Sequence, residues 1–168
     1  MESILNDLVS HVGQNMPDLK TVDEDYGQLE ILDDPNRDTY SLTFPAVLID
    51  AAETSWSNVE GLSQHGVCTI RVRLIIDCYD DTHYGSGTTG KIMEREEVRK
   101  RLHCLLQGHR IGEDGAMMRT SSRFYTFNHG IKVYETTYSL AVTEYMKERL
   151  KKVEKVKVVI SPQRELEV

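Results

Sequence analysis

Disulfide bonds, membrane spans and export signals are all poorly supported by this sequence of 168 residues. Only three cysteines occur, without CxxC spacing, which is typical of a chain in a reducing compartment. No uninterrupted apolar run reaches the ~18 residues of a membrane-spanning helix, so we expect no membrane partner. The N-terminus has no basic stretch followed by an apolar one, so we expect no secretory signal and a cytoplasmic location.

Positive charge is also scarce. The chain has 20 Lys and Arg against 27 Asp and Glu, a formal net charge of −7. Proteins that bind nucleic acid non-specifically are normally basic, so this balance argues against such binding, although not against a protein through which DNA passes. Hydrophobic residues make up 39% and charged residues 28% of the chain, which indicates a folded globular protein.

Two segments have the spacing of amphipathic helices. In residues 4–12 apolar side chains recur at helical spacing, and Gly13 or Pro17 is expected to end this helix. A second helix is predicted over roughly 93–107, with acidic residues early and basic residues late, as the helix dipole favours. Because short helices are only marginally stable alone, the apolar face of each helix must pack against another element.

Strand-like alternation is clearest over residues 68–78, where every second residue is apolar. The alternate positions are mostly polar: Thr69, Arg71, Arg73, Ile75, Asp77 and Tyr79. A strand with one polar face belongs to an antiparallel or mixed sheet. Further strands are predicted at 28–32, 44–50, 117–125 and 131–142, with a bulge or a change of exposure near Tyr134.

These elements predict an α+β fold, a two-layer sandwich with a mainly antiparallel or mixed sheet and two helices packed on one face. The predicted domain covers residues 1–143, and a Lys- and Glu-rich extension, 144–168, is expected to form a short helix, an edge strand or both. Residues 51–66 are predicted to be a long hairpin loop that carries the only tryptophan, Trp56. This side chain is expected either to anchor an interface or to fold back onto its own sheet.

The segment 85–91 matches the start of a phosphate-binding loop, G-x-x-x-x-G-K, between a strand and a helix. In such a loop the backbone amides and Lys91 would hold phosphates. However, Ile92 stands where a hydroxyl must bind Mg²⁺, and Asp80 and Asp81 put negative charge beside any phosphate. The preceding strand is also polar on one face. Nucleotide binding is therefore the weaker hypothesis.

Metal-binding and nucleophilic side chains are present without a recognisable constellation. The loop after the long strand contains four potential metal ligands, Asp77, Asp80, Asp81 and His83. Their spacing does not fit an EF-hand, and a solvated acidic loop is the favoured interpretation. His65 with Cys68, and His103 with Cys104, lack the second half of a zinc pattern. With no Gly-x-Ser-x-Gly elbow either, we predict no catalytic residues, no metal, no cofactor and no enzymatic activity.

The order of elements resembles the tail terminator, or tail-completion, proteins of long-tailed bacteriophages and prophages. Four features over roughly residues 2–143 carry the resemblance: the helix at 4–12, the hairpin from 44–49 through a long loop to 68–76, the helix at 95–106, and the closing hairpin into 134–142. The extension after residue 144 departs from the compact form of the family.

This resemblance implies a structural virion protein, present in the host cytoplasm during assembly, that caps the finished tail tube and joins tail to head. It implies a ring, commonly of six subunits, with copies of itself, the tail tube protein and the head–tail connector as partners. Genomic DNA would pass through an acidic lumen without specific binding. A head-completion or connector protein of the same assembly is the alternative, and a small nucleotide-binding protein using 85–91 is the alternative from another class.

A ring of identical subunits needs two different contact surfaces on each subunit. We expect the first at Trp56, in the predicted loop. The second is expected on the polar face of the long strand, at Arg71, Arg73, Ile75 and Tyr79, where an exposed Ile75 among charges would indicate a covered patch.

Overall fold

The computed structural model describes residues 1–32, 42–57, 63–112, 115–128 and 130–145. These residues contain two helices and five strands: α1 (Glu2–Asn15), β1 (Thr21–Glu24), β2 (Ala46–Ser57), β3 (Ser63–Asp77), α2 (Gly90–Leu106), β4 (Met118–Phe127) and β5 (Ile131–Tyr145). The predicted α+β class is confirmed. Within the described residues, none of the helices has the length and hydropathy needed to span a membrane.

The five strands form one mixed sheet in the order β1-β2-β3-β5-β4. β1 runs parallel to β2, and the other three pairings are antiparallel. β3 and β5 pair without interruption from Asp77 opposite Ile131 to Ser63 opposite Tyr145. In this sheet β1 and β4 are the two edges, so surfaces beside them lie on opposite sides of the molecule.

Both helices pack on one face of the sheet, as the sequence predicts. Leu8 and Val12 of α1 and Leu106 of α2 are completely buried in one cluster with the alternating residues of β3 from Cys68 to Leu74. Burying each large aliphatic side chain of this kind contributes about 1.5–3 kcal/mol before conformational entropy is counted. This cluster holds both helices on the sheet.

The opposite face of the sheet is covered at one end by turn-rich parts of the chain. Leu29 and Leu42 pack there with Leu48, Ile75 and Val133 in a second buried cluster. Side chains of a strand alternate between faces, so Ile75 reaches this cluster while its neighbour Leu74 joins the helix side. Ile75 has no exposed surface, so its expected exposure is wrong.

The first strand lies earlier in the chain than predicted. Residues 28–32 form turns, and β1 occupies Thr21–Glu24 instead. The Gln28 side chain stabilises the turn, because its amide donates to the Glu24 carbonyl at 2.6 Å and accepts from the Tyr26 amide at 2.9 Å. Local hydrogen bonds of this kind compete with strand pairing.

The predicted loop over 51–66 is also wrong, because β2 continues to Ser57 and β3 begins at Ser63. Polar side chains in this stretch reflect a sheet exposed on both faces. No bulge occurs in the β3–β5 pairing at Tyr134; instead β5 changes its buried face, with Val133 in the second cluster and Tyr138 in the helix-side cluster. Of the predicted extension, residues 146–168 lie outside the described residues.

Candidate interaction surfaces

The far ends of β2, β3 and β5 form a three-stranded arm, defined here as residues 52–57, 63–67 and 143–145. Most of its side chains are exposed, in contrast to the buried starts of the same strands. The large apolar residues exposed on the arm are Trp56, Val67 and Tyr145. The pairing places Trp56 on one face of the arm and Val67 and Tyr145 on the other, so both faces of this end of the sheet expose large apolar side chains.

Trp56 lies in β2 directly opposite Gly66 of β3. A Cβ atom on Gly66 would come within 2.7 Å of Trp56 Cε3, so the missing side chain gives the indole room to lie across the neighbouring strand. The indole nevertheless keeps 38% of its surface exposed. Trp56 was expected either to fold back onto its own sheet or to anchor an interface. The geometry is compatible with both, because the indole packs on the sheet and still has exposed surface for a partner.

The other four expected interface residues are not brought together with Trp56. Arg73 is only 5% exposed, and Ile75 is covered by the segment around Leu29, so the open patch expected there is wrong. Tyr79 is 73% exposed but follows the opposite end of β3, and roughly 36 Å of strand separates Gly66 from Asp77.

Arg71 is the remaining member of that set, and it is partly accessible. Its guanidinium lies 2.7 Å from the Asp50 carboxylate on the neighbouring strand, and 40% of its side chain is exposed. Trp56, Arg71 and Tyr79 are thus separate accessible positions, and their contribution to an interface stays a prediction.

Arg73 instead binds the covering segment to the sheet. Its guanidinium donates to Asp25 at 2.5 Å and to Glu30, and the side chain of Asp25 is only 3% exposed. Burial alone would lower the pKa of Arg73, but the hydrogen bonds to Glu30 and Asp25 outweigh it and raise the pKa. The same hydrogen bond lowers the pKa of Glu30. Arg73 therefore stays charged, and its function here is to hold residues 25–30.

A groove runs between α1 and β1 at one edge of the sheet, and we call it the acidic groove. It has a volume of about 240 Å³ and is lined by Glu2, Leu5, Asn6, Val9, Asp23 and Glu24. Asp23 Oδ1 accepts a hydrogen bond from the Glu24 amide at 2.8 Å, which orients that carboxylate. Glu2, Asp23 and Glu24 form no ion pair with any other described residue, so no described cation compensates the negative charge of this groove.

A second groove lies between α2 and β4 at the opposite edge, and we call it the basic groove. It has a volume of about 350 Å³ and is lined by Arg99, Arg119, Thr120, Ser121, Ser122 and Phe124. The Arg99 guanidinium lies 5.9 Å from the centre of the Phe124 ring and is bound to Glu96 at 2.6 and 2.8 Å. Arg119 is exposed and forms no ion pair with another described residue, and Phe124 is 61% exposed.

Beside the basic groove, His103 and Tyr138 form a polar contact under α2. His103 Nδ1 lies 3.0 Å from the Tyr138 hydroxyl. Burial lowers the pKa of His103, and the nearby charges of Arg119 and Arg99 lower it further. Burial also raises the pKa of Tyr138 to about 12. Both groups are therefore neutral at pH 7, and the charged side chains beside them are Arg119 and the Arg99–Glu96 pair.

The phosphate-loop-like segment lies between β3 and α2, but β3 pairs antiparallel with both of its neighbours. Gly85 and Gly87 adopt positive φ angles of 88° and 79°, which side chains disfavour, so these glycines serve turns. Lys91 Nζ lies 2.8 Å from the Glu94 carboxylate on its own helix. The segment therefore has local turn and helix-surface contacts in place of the parallel-sheet setting of a phosphate loop.

In the acidic loop, two of the four potential metal ligands lie next to each other. His83 Nδ1 lies 2.5 Å from Asp81 Oδ1, and both side chains are exposed. Across the part of the chain that the structure describes, no three His, Cys, Asp or Glu side chains are grouped closely enough to hold a metal ion.

Sequence reasoning missed both grooves. The signal available for the basic groove was the segment after Met117, where polar residues replace the alternation of a half-buried strand. No comparable signal marks the acidic groove, because its lining comes from α1 and from a strand that was assigned elsewhere.

Comparisons with known proteins found no match, either to a family model or to a curated protein. The resemblance to tail-completion proteins therefore depends on the order and pattern of the elements alone.

Proposed function

We propose that this protein is a structural tail-completion, or tail terminator, protein that assembles with copies of itself into a ring at the end of a phage or prophage tail tube. The observation that carries the proposal is the three-stranded arm with exposed Trp56, Val67 and Tyr145. This end of the sheet is accessible on both faces, whereas the start of the same strands forms the core.

A tail-completion ring has to make two kinds of contact, with its own copies and with the tube or connector. Interface cores are enriched in tryptophan and tyrosine, and both residue types are exposed on the arm. The arm is continuous with the core, because β3 and β5 keep their pairing from the helix-side cluster into the arm and β2 enters it through a bulge between Ala51 and Glu53. We assign the arm to contact with the tail tube or the neighbouring subunit.

The net charge of −7 is consistent with DNA passage through the ring. A lumen with acidic character repels phosphates and lets DNA slide without being held. The proposed partners are accordingly copies of this chain, the tail tube protein and the connector, in the virion and in the host cytoplasm during assembly.

The test is to mix the protein with purified tail tubes and with purified heads, and to measure particle mass and image the products by electron microscopy. We expect a ring at the tube end with wild-type protein, and weaker occupancy with Trp56→Ala. Tyr84→Ala is the matched control, a fully exposed aromatic in the loop after β3 to which no interface role is assigned. A protein that stays monomeric with tubes present contradicts the proposal, and capture by heads alone favours the head-completion alternative.

The alternative from another class is tested separately by isothermal titration with Mg-ATP. Micromolar binding that is lost in Lys91→Ala would overturn the structural proposal, because it would assign the 85–91 segment to a nucleotide.

A further inference from the structure

The acidic and basic grooves lie at opposite edges of the same sheet. The acidic groove borders β1 and the basic groove borders β4, with β2, β3 and β5 between them. Four strand spacings amount to about 19 Å, so the two grooves cannot pair with each other within one chain. Among the described residues, neither groove therefore supplies the charges that complement the other within one chain.

The two grooves are complementary in charge and in apolar character. The acidic groove is lined by the carboxylates Glu2, Asp23 and Glu24 together with Leu5, which is buried, and Val9, which is half-buried. In the basic groove, Arg99 and Arg119 accompany the exposed ring of Phe124. One surface thus offers carboxylates beside an apolar floor. The other offers the Arg119 guanidinium, which has no ion-pair partner among the described residues, beside an exposed aromatic ring and the Arg99–Glu96 pair.

We propose that the basic groove of one copy docks on the acidic groove of the next copy. Phe124 then packs against Leu5 and Val9, and Arg119 faces the carboxylates of Glu24 and Glu2. Because the two surfaces differ, the contact is head-to-tail, and repetition of such a contact closes into a ring when the rotation allows it. Closure into a ring rests on the proposed function, whereas the pairing itself rests on the two grooves.

Side-chain contact, and not strand addition, carries this pairing. β1 is only four residues long and carries Asp23 and Glu24, and the Glu24 amide is already bonded to the Asp23 side chain. Short, charged edge strands resist pairing with another strand. The association must then weaken as salt is added, because salt screens exposed charges.

Reciprocal charge reversal tests the pairing. The first variant carries Glu2→Lys and Glu24→Lys, and the second carries Arg119→Glu; all three positions are exposed in the monomer. Each variant alone is expected to associate roughly tenfold or more weakly than wild type, because like charges then face each other. An equimolar mixture is expected to regain association, because every contact again joins opposite charges.

Sedimentation velocity over a concentration series, at low and high salt, measures the outcome. Lys91→Glu is the matched control, a charge reversal at an exposed lysine outside both grooves, and wild-type association is expected for it. Circular dichroism verifies that each variant is folded. Phe124→Ala leaves all charges in place. This variant is expected to weaken association, and mixing it with a charge-reversal variant is not expected to restore association.

Three outcomes would each overturn the pairing. The reversal variants could associate like wild type, their mixture could associate no more strongly than either variant alone, or the wild-type chain could remain monomeric at every concentration. Failure of the proposed function looks different. If the mixture regains association but no ring forms on tail tubes, the pairing stands and the tail-completion function fails. If rings form on tubes despite both reversals, the pairing fails and the proposed function stands.

Discussion

One face of the sheet is covered by two amphipathic helices, whereas the other is covered at one end by turn-rich segments around Leu29 and Leu42. The helix-covered cluster consists of apolar side chains and Tyr138. On the opposite face the apolar cluster is smaller, and Arg73 and Glu135 are buried beside it. The two faces therefore hold their covering segments in different ways. Apolar packing holds the helices on one face, whereas apolar packing and buried ion pairs together hold the turn-rich segments on the other.

Paired charges cross the second face in register. Arg73 lies opposite Glu135 on β5, and Glu135 lies opposite Arg123 on β4, which binds it in a bidentate contact at 2.7 and 2.9 Å. Removing one member of a buried pair leaves a charge without compensation. The two faces should therefore respond differently to substitution and to pH.

The largest effect is expected on the helix-covered face, from Leu8→Ala. Leu8 is completely buried in the helix-side cluster, so its truncation leaves a cavity under α1. We expect the free energy of unfolding to fall by about 3–4 kcal/mol. Urea unfolding measures this change, and Val9→Ala, at a half-buried position on the same helix, should cost clearly less. Equal losses at the two positions would show that α1 is not packed as described.

Arg73→Ala should have the next largest effect, a loss of about 3 kcal/mol, because it leaves the buried Asp25 carboxylate without its cation. Arg71→Ala provides the matched control on the same strand and face. Its pair with Asp50 is partly exposed, so the loss should be about 1 kcal/mol or less. If both arginines proved equally dispensable in urea unfolding, Arg73 would not hold the covering segment.

The two faces should also lose stability in different pH ranges. Folding lowers the pKa of His103 from 6.5, so the unfolded chain binds more protons and stability falls as pH drops below about 6.5. Folding also lowers the pKa of Glu30 from 4.5, so the stability from its bond to Arg73 is present above about 4.5 and is lost as pH falls further.

Urea unfolding at a series of pH values separates the two contributions. His103→Gln should remove the loss in the upper range and leave the lower one, and Glu30→Gln should do the reverse. A His103→Gln profile that coincides with wild type between pH 7 and 5 would assign the upper range to other groups.

The smallest effect on stability is expected in the arm, which neither cluster covers. Trp56→Ala should change the free energy of unfolding by only about 0.5–1 kcal/mol, since the indole is partly exposed. Self-association or tube binding should weaken in the same variant. An unfolded variant would instead place Trp56 among the residues that hold the sheet together.

The elements with strong periodicity were the predictable part of this fold. Residues 4–12 lie within α1, residues 93–106 lie within α2, and the alternation over 68–77 lies within β3. These patterns arise because a helix or strand that packs on one layer buries a fixed subset of its positions. The same reasoning failed for Ile75, since one apolar residue among charges does not reveal that another segment covers it.

The candidate surfaces were less predictable than the fold. Trp56 was singled out by its rarity, but its position in a strand across from Gly66 depends on pairing between distant residues. Arg119 and Phe124 face Arg99 only because β4 lies at the sheet edge beside α2. No local pattern records which edge strand lies under which helix.

By itself the sequence determined the α+β class, the two amphipathic helices and the helix-facing side of the long strand, because hydrophobic periodicity is a local property of the chain. Only the tertiary structure decided that residues around Leu29 cover the second face, that Arg73 is buried, and that opposite charges line opposite edges. Those features depend on contacts between residues far apart in the chain. Such contacts contribute to the free energy of folding only once the sheet has formed.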